Sequence, residues 1–215
     1  FNEAAGTTWA DLSTNSFTAS TAGEGTGQSI VAGLYGNAIQ FTGSGGISIG
    51  DINAKAENAL QSWTVIASFM PTGGATGTSC IVCKNDSSGN TFIMGFSKHR
   101  MLLSYAPLPA GDTLGDMIST LVSSTTYHSG MWSRTPGKSK IMALDGVLIS
   151  SNVTIDDSYN STVGGPFEFG TNAGGANNNF IGKIDWLAMW RTGFTMNEYQ
   201  YLYGIWKGKK RFFLH

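Results

Sequence analysis

Turn signals recur along this chain about every 8 to 12 residues, the spacing of short strands in a sandwich or barrel. The sequence holds 29 Gly against 5 Pro, which suits tight turns between strands rather than long helices. Between the turns lie short apolar segments. Trp63 to Met70 is the clearest, with Trp63, Val65, Ala67 and Phe69 falling on one face and Pro71 closing the run. An all-β fold follows. Its core material is ample, since 41% of residues are hydrophobic and 12% aromatic, and disorder is excluded.

Further strands are expected at Ala38 to Phe41, Ile47 to Ile49, Cys80 to Lys84, Thr91 to Phe96, Arg100 to Tyr105 and Ile118 to Thr125. Tyr127 to Arg134, Lys140 to Leu144, Val147 to Ser151, Phe167 to Phe169 and Gly182 to Arg191 continue the pattern. Ala38 to Phe41 and Ile47 to Ile49, joined by Thr42 to Gly46, read most simply as a hairpin. Asp145-Gly146 is a strong hairpin turn. One helix is convincing: Thr195-Met-Asn-Glu198 forms a capping box, and Gly204 is expected to stop the helix it opens. No composition break divides the chain. One domain over 1–204 is expected, followed by a basic aromatic tail over 205–215.

Charge narrows the function. With 13 Lys+Arg against 14 Asp+Glu the formal net charge is -1, so a nucleic-acid binder relying on a basic surface is excluded. No window approaches the roughly 18 apolar residues of a membrane span, and no signal-peptide pattern is present. Phe1 in place of Met suggests processing or an upstream start. Cys80 and Cys83 make a C-x2-C without a second pair, too few ligands for zinc. On a regular strand they face opposite ways, roughly 10 Å apart, as one buried and one half-buried free thiol. His99, His128 and His215 are dispersed, His128 at an expected strand start. Asn85, Asn152 and Asn160 head Asn-x-Ser/Thr triplets of the kind chance places in a Ser- and Thr-rich chain.

Four segments in order carry a resemblance: Gly36-Asn-Ala-Ile-Gln-Phe-Thr-Gly-Ser44, Ser62-Trp-Thr-Val-Ile-Ala-Ser-Phe-Met-Pro71, Ile141-Met-Ala-Leu-Asp-Gly-Val-Leu148 and Phe180-Ile-Gly-Lys-Ile-Asp-Trp-Leu-Ala-Met-Trp190. With Thr195, Glu198 and Leu202-Tyr203 behind the last, the chain resembles the concanavalin A-like, laminin G-like jelly-roll family, including modules of bacteriophage structural proteins. The resemblance spans about residues 36–203. It implies two antiparallel sheets packed face to face with one short C-terminal helix. The family's functions include glycan binding, protein binding and, in some branches, glycoside hydrolysis, so fold leaves function open.

Hydrolysis needs two flanking carboxyl groups, which sandwich hydrolases place as Glu-x-Asp-x-x-Glu on one strand. Nothing here matches, and Ser-His-Asp chemistry lacks support, since the lone His128 sits at an expected strand start; the chain is expected to be no enzyme. Cofactors are expected to be none. Calcium has weak support, because Asn85 with Asp86, or Asp156 with Asp157, offer some oxygen ligands, while Thr42 and Ser44 stand where the family often has Asp. The expected role is a virion decoration or tail-associated module, its partners other virion proteins, further copies of itself, or a cell-surface glycan, and its location the virion surface. The alternative is a carbohydrate-binding module of a secreted bacterial protein, located outside the cell. Trp186 and Trp190 are candidate stacking or interface anchors. Asn85, Asp86, Asn90, Asn172 and Asn177 are candidate sugar contacts, because amides both donate to and accept from hydroxyls. The segment with Trp206, Lys209, Lys210, Arg211, Phe212 and Phe213 is expected to dock onto a partner, its aromatics needing burial. Family similarity supports this last reading through Lys207-Gly-Lys-Lys-Arg-Phe-Phe213 and its likeness to phage-module C-termini.

Overall fold

The computed structural model describes residues 8–10, 18–22, 27–48, 62–72, 78–85, 91–97, 100–106, 117–121, 125–135, 139–152, 167–171 and 179–208. Its strands in chain order are β1 (Thr8–Ala10), β2 (Thr18–Ala22), β3 (Gln28–Ala32), β4 (Asn37–Thr42), β5 (Gly46–Ser48), β6 (Trp63–Pro71), β7 (Thr78–Asn85) and β8 (Thr91–Ser97). Then come β9 (Arg100–Ala106), β10 (Met117–Leu121), β11 (His128–Thr135), β12 (Ser139–Leu144), β13 (Val147–Asn152), β14 (Phe167–Phe169), β15 (Ile181–Trp190) and the helix α1 (Met196–Gly208). They form two antiparallel sheets, an eight-stranded one in the order β1-β2-β5-β14-β7-β8-β9-β10 and a seven-stranded one in the order β13-β12-β11-β6-β15-β4-β3. The β-sandwich with, among the described residues, a single C-terminal helix is as the sequence indicated.

β6 lies at the middle of the seven-stranded sheet, and its alternation decides which face meets which layer. Trp63, Val65, Ala67 and Phe69 enter the core between the sheets, joined by Ile39, Phe41, Trp132, Met142 and Phe167. Thr64, Ile66 and Ser68 take the other face, yet they too are buried. The helix explains this: Ile66 packs with Met131, Ala143 and Tyr199 of α1. Burial of Ile66 alone is worth about 1.5–3 kcal/mol.

The expected hairpin over residues 38–49 is corrected. β4 pairs with β3 and β15, whereas β5 pairs with β2 and β14, so residues 43–45 carry the chain from one sheet to the other. Gly43 (φ 88°) and Gly45 (φ 69°) make this reversal, in a backbone region that glycine enters without a Cβ clash. Phe41 and Ile47 on either side both reach the same core. By contrast β12–β13 is a hairpin with Asp145 at φ 51° and Gly146 at φ 81°, the two positive values of a type I′ turn.

The cysteine geometry also differs from expectation. A register shift falls between Cys80 and Val82 against β8, and such a bulge resets the alternation. Ile81 and Val82 consequently both enter the core, while Cys80 and Cys83 pack together, both fully buried and free. They share a face instead of opposing one another.

α1 begins as the capping box requires. Thr195 N donates to Glu198 Oε2 at 2.7 Å and Glu198 N donates to Thr195 Oγ1 at 3.3 Å. The helix does not stop at Gly204, which is exposed with no heavy atom near its missing Cβ, and instead runs on through Trp206 to Gly208. Packing of Trp206 outweighs the helix penalty of one glycine, about 1 kcal/mol relative to alanine. The turn from β15 into α1 is tied down by two buried hydroxyls. Phe194 N approaches both Thr64 Oγ1 and Ser133 Oγ at 2.8 Å, and Thr64 Oγ1 donates to the Thr192 carbonyl at 2.7 Å.

Candidate functional site

β15 reads Ile-Gly-Lys-Ile-Asp-Trp-Leu-Ala-Met-Trp, and its inward alternation is irregular for a local reason. Ile184 pairs with Phe69 and Trp186 with Ser68, leaving Asp185 as an extra residue. This bulge flips the strand's phase. Ile184 therefore faces the core, as do Leu187 and Met189 beyond the bulge, and Trp186 and Trp190 fall on the opposite face beneath α1.

Asp185 is itself buried. Its carboxylate accepts from Leu34 N at 3.1 Å. Burial pushes its carboxyl above the usual carboxylate range, and the backbone amides of Tyr35 and Leu34 oppose that shift. Gly33 is required by this approach, since a Cβ there would collide with Asp185 Oδ1.

Around the bulge stands a cluster of rings. Trp206 meets Tyr35 with centroids 5.4 Å apart, Tyr203 at 5.6 Å and Trp186 at 6.4 Å, all separations at which aromatic pairs attract. Tyr35 OH donates to the Trp206 carbonyl at 3.4 Å. Trp190 lies aside from the cluster against Phe194, 5.0 Å between centroids. Lys207 Nζ stands over the Tyr203 ring at 5.8 Å, a cation–π distance.

Four polar atoms are buried here without a hydrogen-bond partner among the described residues: Ser68 Oγ, Tyr127 OH, Trp186 Nε1 and Trp206 Nε1. A buried group left so costs about 1–3 kcal/mol. Burial, with the Asp185 charge second, pushes the Tyr127 phenol up to about 12. The same two causes raise the Tyr35 phenol.

Of the residues expected to act, the fold brings Trp186 and Trp206 together, while Trp190 packs apart from them against Phe194. Trp206, expected in a tail that docks elsewhere, packs inside this domain because α1 extends past Gly204. Asn85 ends β7. Asp86, Asn90, Asn172, Asn177, Lys209, Lys210, Arg211, Phe212 and Phe213 lie outside the described residues, as do Asp156 and Asp157. Sequence reasoning missed Tyr35, Tyr127 and Ser68. A signal existed for Asp185, a carboxylate within an apolar strand.

His128 starts β11 as expected, and its Nδ1 contacts Asp145 Oδ2 at 2.7 Å. Asp145 also accepts from Ser129 N at 2.9 Å and donates its own N–H to Ser129 O at 2.8 Å. The arrangement clamps the β12–β13 turn onto β11. Among the described residues no three His, Cys, Asp or Glu side chains are grouped to hold a metal, and no helix is long and apolar enough to cross a membrane.

Two antiparallel sheets, with α1 against the seven-stranded one, make the described residues a β-sandwich. No family model matches the sequence and no curated protein matches it; solved structures do. The binding domain of Paraclostridial Mosquitocidal Protein 1 matches with TM-score 0.65 at 16% identity, over 92% of this chain and 49% of that one. Domain 4 of AbnA, an extracellular arabinanase from Geobacillus stearothermophilus, in complex with arabinotriose, matches with TM-score 0.63 at 15% identity, over 86% of this chain and 87% of that one. The CBM40 domain of Ruminococcus gnavus IT-sialidase, bound to α2,3 sialyllactose, matches with TM-score 0.63 at 15% identity, over 78% and 96%. The chain thus spans about half of the first structure and most of the other two. At these identities the likeness is one of fold.

Proposed function

We propose that this chain is a non-catalytic carbohydrate-binding module of an extracellular protein. The observation that carries the reading is the nearly end-to-end match to two domains whose structures hold a bound oligosaccharide, at 87% and 96% of their lengths. Three features support it. Aromatic rings gather beside a carboxylate at the β15 bulge. The side chains of Asn85, Asp86, Asn90, Asn172 and Asn177, named as candidates from the sequence, have the donors and acceptors that sugar hydroxyls need. No strand of the sequence carries the paired carboxylates of glycoside hydrolysis. The order of the two readings drawn from the sequence is therefore reversed: the secreted module comes first, and a virion role, with docking through Lys209 to Phe213, draws no support from the matches.

A glycan microarray probed with the folded chain tests this. Binding above background to one or more glycan classes is expected, and an array without a hit, from protein whose circular dichroism shows the β-sandwich, would overturn it.

A further inference from the structure

We propose that the β15 bulge carries a binding site for a neutral saccharide, formed by Asp185, Trp186, Trp206, Tyr35, Tyr127 and Ser68. The inference rests on the glycan reading above and adds to it the site and the class of sugar.

The first ground is the convergence of orphaned polar atoms. Trp186 lies directly across from Ser68 in the sheet, its ring meets that of Trp206 at 6.4 Å, and Asp185 adjoins it in the chain. Tyr127 and Tyr35 are close enough to Asp185 to feel its charge. Ser68, Tyr127, Trp186 and Trp206 each hold a buried donor without a partner among the described residues. Buried polar atoms in folded proteins are nearly always paired with protein, water or ligand. Four without a partner among the described residues, two of them on rings that meet beside the β15 bulge and a third directly across from Trp186, point to a guest with several hydrogen-bonding groups.

The chemistry of the set then selects the guest. Indole N–H groups only donate, the two hydroxyls donate or accept, and the carboxylate only accepts. A sugar hydroxyl answers all three. The sugar's C–H faces suit the rings of Tyr35, Trp186 and Trp206, which are half-buried, so the rings reach the surface although the indole N–H groups do not. Polar groups placed among aromatic walls are the usual makeup of a small-molecule site.

Charge excludes acidic sugars. Asp185 is the charged member of the set, and a second carboxylate brought against it in a buried setting is repelled. Lys207 Nζ is turned to the Tyr203 ring.

Indole ¹H–¹⁵N spectra of the full chain test the site, titrated with arabinotriose, cellotriose, mannotriose and galactobiose as neutral probes and 3′-sialyllactose as the acidic one. At least one neutral probe is expected to shift the Trp186 and Trp206 indole resonances saturably, and sialyllactose to leave them in place. Trp206→Phe, which keeps a ring and removes the N–H, is expected to weaken that binding about tenfold. Tyr127→Phe serves as a second variant if Trp206→Phe lowers the melting temperature. If no neutral probe moves either indole, the four atoms are served by ordered water and the site is wrong. A sugar that binds with shifts confined to other residues, or tighter binding of sialyllactose, overturns it equally. An array hit with silent indoles spares the glycan reading, whereas an array without hits removes both.

Discussion

Cys80 and Cys83 illustrate how one inserted residue changes the chemistry available to a pair. Spacing on a regular strand sets them on opposite faces, but the β7 bulge puts both on one, buried. Burial pushes the Cys83 thiol well up, and the neighbouring Cys80 adds to the shift. Both thiols are fully buried, so neither cysteine is expected to react with Ellman's reagent in the native protein at pH 8, and both should react at once in 6 M guanidinium; fast labelling of the native state would contradict this. Asp185 gives a second test at this scale. Its native carboxyl is raised by burial, so between the unfolded value, about 3.9, and the raised native value the folded state binds more protons. Stability contributed by this group is present below the unfolded value and lost as pH climbs through the native one. Urea unfolding from pH 3 to 7 should show the wild type losing stability relative to Asp185→Asn as pH rises, with the reverse slope refuting the assignment.

At the scale of the element, what the sequence revealed and what it hid follow a physical rule. A strand with uniform alternation, such as β6, was legible because a period of two maps directly onto two faces. The capping box at Thr195 was legible because its hydrogen bonds are local. Bulges were not, since an added residue is defined by the partner strand's register, which no local pattern contains; this hid the pairing of the cysteines and the burial of Asp185. The β4–β5 crossover was hidden likewise, because Gly43 and Gly45 allow a sharp reversal within a sheet or between sheets, and burial of Phe41 and Ile47 from both sides decides which. Gly204 was misread because glycine after a helical run commonly ends it, yet Trp206 packs against β15 and Tyr35 only if the helix continues. Within a helix an exposed glycine is a defect. Gly204→Ala should therefore raise stability by about 0.5–1 kcal/mol in thermal unfolding; destabilisation would instead place a left-handed helix end there.

At the scale of the whole molecule, the central sheet is closed on both faces, by the second sheet and by α1, and the candidate site arises where that second closure meets the β15 bulge. The same helix that completes the fold holds the Trp206 ring against that of Trp186, so the proposed site and the stability of the fold depend on one element. The sequence identified Trp186 and Trp206 but assigned them to unrelated roles, because residues 186 and 206 become neighbours only when α1 folds back over β15. The central claim, that this sandwich holds a sugar, is tested most directly by isothermal titration calorimetry of the full chain with the best soluble oligosaccharide from the array. The account predicts saturable heat with one sugar per chain, and the absence of saturable heat from folded protein would contradict it.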